Sequence, residues 1–468
     1  MRASWFWLPA AAMALVAIVV GTVIHDPLLF LGAGVGIAAV ALMQYPVGRL
    51  ALFVLGGLAA MGGTSGLGPV KLAYAAVAIV CFVIAWFRLN KRRIHPEWRQ
   101  PVRMARIAST ALLALTALGA GVGLAQQYPL AFIGQDAFTY LLIAFAPVIG
   151  LDAASGSFSR FKVMTVVVGS VAAVSWAVWW LARRGSSVGG LERLTLVTSF
   201  LGFAVFAIAL VLAVNASRTS ARLGWVLLAV AVPVIYIASG SRSMIVYALG
   251  LVGLLGARRY GRLPVVRGLF VALLIGMIAL VLLPLIIEAL PDGPRIMRRF
   301  TDTFALLVDS GIEGDGSFVE RSRAYEYTAD LFSASPLLGQ GLGYIYPSVS
   351  GETAGDLKVD SPLLVLSKFG VLGAAAVITL GIAAWRLARA TRGPEQLRLG
   401  ETVLIVFAFI TLGRLLFVAP TEDKGFAYAI AMMVCFSAFA WQQSSEFRTE
   451  VGPVEEGAPR MSTRAHQS

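Results

Sequence analysis

Metal-ligating and redox-active side chains are nearly missing from this chain. Its 468 residues include two cysteines and three histidines. Cys81 and Cys435 both sit inside apolar blocks and share no CxxC spacing, so the sequence offers neither a disulfide framework nor a thiolate metal site. His25, His95 and His466 are far apart, which argues against a histidine metal site. Charge is equally scarce. Only 13% of residues are Asp, Glu, Lys or Arg, against about 25% in an ordinary soluble domain. Mean hydropathy is +0.80, which excludes a water-soluble globular enzyme. The polar–apolar alternation over about ten residues that a transmembrane β-barrel needs is also missing.

What the chain has instead is long apolar blocks. A helix rises about 1.5 Å per residue, so about 20 apolar residues cross a bilayer core. The blocks read as spans at roughly 6–24, 28–44, 47–62, 70–87, 107–125, 137–154, 161–182, 195–214, 223–238, 244–256, 268–287, 362–385, 399–418 and 426–442. The third, sixth and tenth are short and carry Gly or Pro, so they read as tilted or re-entrant candidates. The expected fold is therefore an all-α polytopic membrane protein with about 12–14 transmembrane helices. The N-terminal block leads directly into further spans and is not expected to be a cleaved signal.

The net charge of +13 is read first as insertion topology, not as nucleic-acid binding. Basic residues cluster at 88–106, at Arg258–Arg267 and at Arg386–Arg398. Fourteen spans with both termini cytoplasmic put all three clusters inside, although Arg183, Arg184 and Arg193 then fall outside. Anionic lipid headgroups are the second reading of the 88–106 cluster.

Four regions follow: a transmembrane bundle over 1–287 (about 11 spans), a loop domain over 288–360, C-terminal spans over 361–442 and a disordered cytoplasmic tail over 443–468. The loop is the outlier. It spans 73 residues, is expected on the extracytoplasmic face, and holds 12 of the 25 acidic residues. Loops beyond about 15 residues are usually functional or disordered, and this one has helix signals. Arg295–Asp309 reads as an amphipathic helix with Ile296, Phe300, Phe304 and Leu307 on one face. Ser317 and Glu320 form a capping-box pattern for a second helix, ending near Ser333 before Pro336.

Several residues carry candidate chemistry. The turn Ser239-Gly-Ser-Arg-Ser243 sets Arg242 among Ser241 and Ser243, an arrangement that suits a phosphate; a lone Arg at a span end also serves as an interfacial anchor. On the second loop helix Arg321, Tyr325 and Thr328 share one face and Arg323, Tyr327 and Asp330 another. Intrahelical ion pairs are the plainer reading there. Asp360 precedes a span, either as a helix cap or as a carboxylate able to take a proton from an acceptor hydroxyl. Lys368 and Arg414 are intramembrane cations and so functional candidates. Asp136 and Asp152 flank a span and read as interfacial.

The order of these signals carries a resemblance. An outer Ser-Gly-Ser-Arg turn is followed by a long loop with Arg-x-x-x-Tyr and the run Pro336-Leu-Leu-Gly-x-Gly-Leu-Gly343. A polar residue at a span start comes next, then Lys368-Phe-Gly-Val-Leu-Gly373. This resembles the O-antigen ligase and polymerase family of bacterial membrane proteins, most clearly over residues 235–375. The resemblance implies a GT-C-like fold in the bacterial inner membrane and an inverting, metal-independent glycosyltransferase without cofactor. The donor would be a glycan on undecaprenyl diphosphate. Arg242 would be catalytic, Arg242, Ser241, Ser243, Arg321 and Arg323 would face the diphosphate, and Asp360 would act at the acceptor. Tyr325, Tyr327, Lys368 and Arg414 are the substrate-side candidates. Expected partners are the lipid-linked glycan, the bilayer, and a chain-length regulator or flippase of the same pathway.

Ligases of the family commonly carry His, often His-Asn, where this chain has Asp360-Ser361, which is closer to polymerase-type members. Polymerisation of surface-polysaccharide repeat units is the favoured reading and ligation to a lipid A core or other envelope acceptor the alternative. A secondary transporter or lipid-linked glycan flippase is the rival from another class, which would place paired broken helices and charges near the midplane.

Overall fold

The structure is a computed structural model that describes residue 36 and residues 39–61, 68–91, 99–183, 199–238, 316–346, 361–390 and 425–451. All regular structure among them is helical. The helices are α1 (Pro46–Met61), α2 (Pro69–Lys91), α3 (Arg99–Ala125), α4 (Leu130–Ala154), α5 (Phe158–Arg183), α6 (Ser199–Asn215), α7 (Thr219–Ala238), α8 (Gly316–Ala334), α9 (Leu364–Ala390) and α10 (Phe426–Val451). Four of these, α2 to α5, contain stretches long and apolar enough to cross a membrane. The outward faces of α2, α5 and α7 expose Val70, Ile79, Phe87, Val163, Val174, Leu223, Leu227 and Val230. Such broad apolar faces would drive association in water, and they suit lipid. The protein is a helical membrane protein.

α4 is the central post. Its apolar window is 94% buried, and α1, α2, α3 and α10 all pack on it. A helix that is apolar all round belongs in such a place. Pro147 lies within α4 without ending it. Contact with α10 is close at Gly150, where a Cβ would stand 2.5 Å from the Ala431 carbonyl oxygen. Small residues at helix contacts let backbones approach in this way. Beside it, Phe158 and Phe161 of α5 meet Phe436 and Phe439 of α10, with ring centroids 5.2–6.5 Å apart.

Asp136 and Asp152, read from the sequence as flanking a span, belong to the helix itself. Both lie inside α4 and are buried. Arg49 of α1 donates from Nε to Asp152 Oδ2 at 2.8 Å and binds the same oxygen through a second nitrogen. Arg88 of α2 stands 3.7 Å from the other oxygen. The sixth span is short in the sequence reading because it begins at 137; with the turns that carry Asp136, α4 has 25 residues and full crossing length.

Three further boundaries differ. α2 runs on to Lys91 and α3 starts at Arg99, so Arg88, Arg99, Arg103 and Arg106 belong to helices and not to a loop. Long arginine stems can cover apolar surface while their heads reach water, which lets helices continue through such residues. α10 reaches Val451, beyond the expected start of the tail at 443. The spans read at 6–24, 244–256, 268–287 and 399–418 and the helix at 295–309 lie outside the described residues.

Gly150→Ala should lower stability by about 1–3 kcal/mol, the usual cost of overpacking, seen as an earlier thermal unfolding midpoint in detergent. An unchanged midpoint would mean that α4 and α10 do not approach this closely.

Candidate functional site

α8 spans Gly316–Ala334, and the capping-box reading started it at Ser317. One face packs inward. Ala324 and Thr328 are buried, and Tyr327 and Leu331 lie against Tyr346 and Leu364. These four positions follow the i, i+3, i+4, i+7 spacing of a helix stripe. Thr328 Oγ1 hydrogen-bonds to Ser361 Oγ at 2.7 Å in a buried contact. Arg323, Glu326 and Asp330 are exposed. Arg321 is on the same helix.

After α8 the chain folds into the bundle through the glycine run. Gly339, Gly341 and Gly343 all have positive φ, at 67°, 81° and 90°. That region is open to glycine and closed to most side chains. Space matters as well: a Cβ on Gly341 would meet the Gly123 backbone nitrogen at 2.6 Å, and one on Gly343 the Ile133 nitrogen at 2.9 Å. Leu342 N–H donates to the Gly119 carbonyl at 2.9 Å. The run is thus threaded between α3, the start of α4 and α9.

α9 is broken to receive it. Gly370 sits at φ 60°, ψ −153°, outside helical geometry. In an unbroken helix the Val371 N–H would bond to the Ser367 carbonyl and the Leu372 N–H to that of Lys368. Here Val371 donates to the Pro336 carbonyl at 2.8 Å. The freed carbonyls of Ser367 and Lys368 accept from Gln340 and Gly341 at 2.8 and 2.9 Å. Helical bonds are exchanged for bonds to the glycine run, so the kink leaves these groups satisfied.

A buried ion pair closes the clasp. Lys368 Nζ donates to Asp136 Oδ1 at 2.6 Å, and both side chains are almost fully buried. The Gly343 N–H donates to Asp136 Oδ2 at 3.1 Å. Lys368 also lies near the rings of Tyr140 and Tyr346, at 5.8 and 6.0 Å. Tyr346 OH bonds to Ser367 Oγ at 2.8 Å. One carboxylate on α4 therefore holds both α9 and the segment that follows α8.

Above the clasp is a tyrosine cluster. The Tyr344 ring stands edge-on to Tyr128 at 5.9 Å and to Tyr346 at 5.1 Å. Tyr327 and Tyr344 hydroxyls bond at 2.6 Å. Burial, and then the bond to Tyr344, push the Tyr327 phenol above its ordinary value. Burial and then Tyr344 raise that of Tyr128 in the same direction. Both stay neutral at physiological pH, with hydroxyls that can donate and accept and ring faces that can pack.

The clasp thus joins Lys368 and Tyr327, two of the candidates read from the sequence, and leaves Arg323 exposed on the helix that it anchors; Tyr325, on that helix too, is half-buried. Ser241, Arg242, Ser243, Asp360 and Arg414 lie outside the described residues. Asp136 was missed as a partner because it was placed at a span edge. The signal lay in the sequence: an acidic residue near one apolar block and a lysine inside another, two charges that a membrane interior favours in pairs.

Fold and clasp together describe a helical membrane protein with a polar helix docked on its bundle. Residues 225–378 match the O-antigen ligase family model, and the resemblance to that family is shown over this stretch. It takes in α8, the glycine run and the broken part of α9. No curated protein matches the chain.

Lys368→Met or Asp136→Leu alone should cost about 3–5 kcal/mol, because each strands a buried charge. The double variant should recover most of that and remain about 1–3 kcal/mol below the parent, since the Gly343 N–H loses its acceptor. Thermal unfolding in detergent measures all three. Losses that simply add would show that the two side chains do not interact.

Proposed function

We propose that the protein transfers a glycan from a polyprenyl-diphosphate carrier to an acceptor hydroxyl at the extracytoplasmic face of the bacterial inner membrane. The family match supports glycan transfer in envelope polysaccharide biosynthesis. The observation that carries the finer reading is the docking of α8 within the matched stretch. It fixes a helix bearing Arg321 and Arg323 against the bundle, and Thr328 ties it to Ser361, the residue after Asp360.

The chemistry runs as an inverting displacement. The acceptor oxygen attacks the anomeric carbon, the bond to the carrier diphosphate breaks, and the acceptor proton passes to Asp360. Negative charge grows on the leaving diphosphate. Arg242, flanked by Ser241 and Ser243, stabilises that charge together with Arg321 or Arg323, more strongly in the transition state than before it. Fixed guanidinium groups supply the countercharge, so the step is written without a metal. Tyr325 and Tyr327, with the neutral phenols around Tyr344, offer surfaces for sugar. Lys368 acts on substrate only through the position of the clasp, because its ammonium is bound to Asp136. Arg414 is a substrate-side cation in this reading.

Polymerisation of lipid-linked repeat units is the reading favoured by Asp360. Ligation to a lipid A core or other envelope acceptor is the second reading, favoured by the description of the matched family. A chain-length regulator or flippase of the pathway is the expected protein partner, and both termini are placed in the cytoplasm.

Arg242→Ala should reduce transfer by roughly 100-fold or more, as loss of one oxyanion donor typically does. Arg242→Lys should recover only part, because it keeps the charge and loses the fork. Gel analysis of the native lipid-linked pool should show single repeat units accumulating. Accumulated free core with intact carrier-linked polymer would select the ligase. Normal glycan from both well-inserted variants would overturn the diphosphate site.

A further inference from the structure

At the opposite end of the bundle from the clasp, one face of α3 and Trp86 of α2 line an open groove of about 650 Å³ that takes in Arg99, Arg103, Arg106, Ile107 and Thr110. Its size falls in the range of small-ligand sites, about 300–1,000 Å³. Arg99, Arg103 and Arg106 follow each other at i, i+4 and i+7, so they share one face of α3. They crowd its first two turns, where the helix dipole is positive and where no acidic residue lies in the first turn to offset them. Among the described residues no acidic side chain lines the groove.

Arg106 is already set in place. Its guanidinium lies over the Trp86 ring, 5.1 Å from the centroid, and donates to the Trp86 carbonyl at 3.3 Å. Its Nε is buried and has no hydrogen-bond partner among the described residues. A buried donor without an acceptor is costly, and an anion would satisfy it. Arg99 and Arg103 are exposed. Three like charges this close repel one another unless an anion lies between them.

The rest of the groove is apolar. From Arg99 to Thr110 it extends roughly 16 Å along the helix, past Val102 and Ile107 to Ala111. A charged head at one end and an apolar channel at the other match a phospholipid and not a free anion. Trp86 stands at the junction, where membrane tryptophans prefer to lie. Basic pockets between helices at the positive-inside end are suited to anionic headgroups.

We propose that this groove holds one anionic glycerophospholipid, with its phosphate on Arg99, Arg103 and Arg106 and an acyl chain along Ile107, Thr110 and Ala111. The site is separate from glycan transfer and does not depend on it.

The test is native mass spectrometry of the full-length protein in detergent with dioleoylphosphatidylglycerol or dioleoylphosphatidylcholine added. The parent should retain the anionic lipid roughly tenfold or more over the zwitterionic one, since each arginine near a headgroup contributes roughly fivefold. Arg99→Gln with Arg103→Gln should abolish that preference. Thr110→Trp should weaken binding by filling the apolar half while keeping all three arginines, and it decides the matter if the double variant misfolds. Equal retention of the two lipids by the parent, or an unchanged preference in both variants, would overturn the proposal. So would displacement of phosphatidylglycerol by an equal concentration of inorganic phosphate, which would mark a free-anion site.

Discussion

Asp136 carries a carboxylate into a helix that other helices cover on nearly every side. An unpaired charge there would cost several kcal/mol. Lys368 meets it from α9, and the Gly343 N–H satisfies its second oxygen. Asp152, 16 residues further along α4, poses the same problem and is met by Arg49 from α1. Sixteen residues of helix cover roughly 24 Å, so the two pairs sit toward opposite ends of one post. In a bilayer, apolar packing alone does not choose which helix lies beside which, because lipid is as apolar as the core. Two buried carboxylates do choose: Asp152 meets Arg49 of α1 and, at 3.7 Å, Arg88 of α2, while Asp136 meets Lys368 of α9.

The clasp also explains why a polar segment rests on an apolar bundle. The glycine run has backbone groups that must be satisfied, and α9 is broken at Gly370 so that its carbonyls can do so. Positive φ at four glycines and the close approach to Gly119 and Gly123 leave little room for any side chain. α8 then docks through Ala324, Tyr327, Thr328 and Leu331 and turns Arg323 outward. An arginine held on an anchored helix is more useful to a developing charge than one on a mobile loop, because less reorganisation is needed at the moment of reaction. This is the physical link between the family match over 225–378 and the proposed chemistry.

Much of this was legible in the residues. Apolar blocks located every described helix except α8, since about 20 apolar residues have few alternatives to a buried helix in lipid. The Ser317–Glu320 pattern and Pro336 bracketed α8 to within a residue or two. Lys368 stood out as an intramembrane charge. Its partner did not, and neither did the pairing of Arg49 with Asp152. Those contacts join residues 232 and 103 positions apart, and no local rule specifies which distant charge a charge will meet. The basic stretch at 88–106 read as loop because charge was counted against helix, yet α2 and α3 run through it as far as Lys91 and from Arg99. Gly370 lay inside the span read at 362–385; that it breaks α9 follows from the glycine run against it, a tertiary fact.

The central claim is that α8 is fixed to α9 by this clasp. Thr328→Cys with Ser361→Cys tests it most directly, in a Cys81→Ser, Cys435→Ser background with a protease site placed within 347–360. The two hydroxyls lie 2.7 Å apart, close enough for a disulfide after substitution. Mild oxidation of native membranes, followed by cleavage, should leave the two halves joined on a non-reducing gel, and Lys368→Met should largely abolish that linkage. Halves that separate without reductant, while a control pair within the bundle cross-links, would contradict the account.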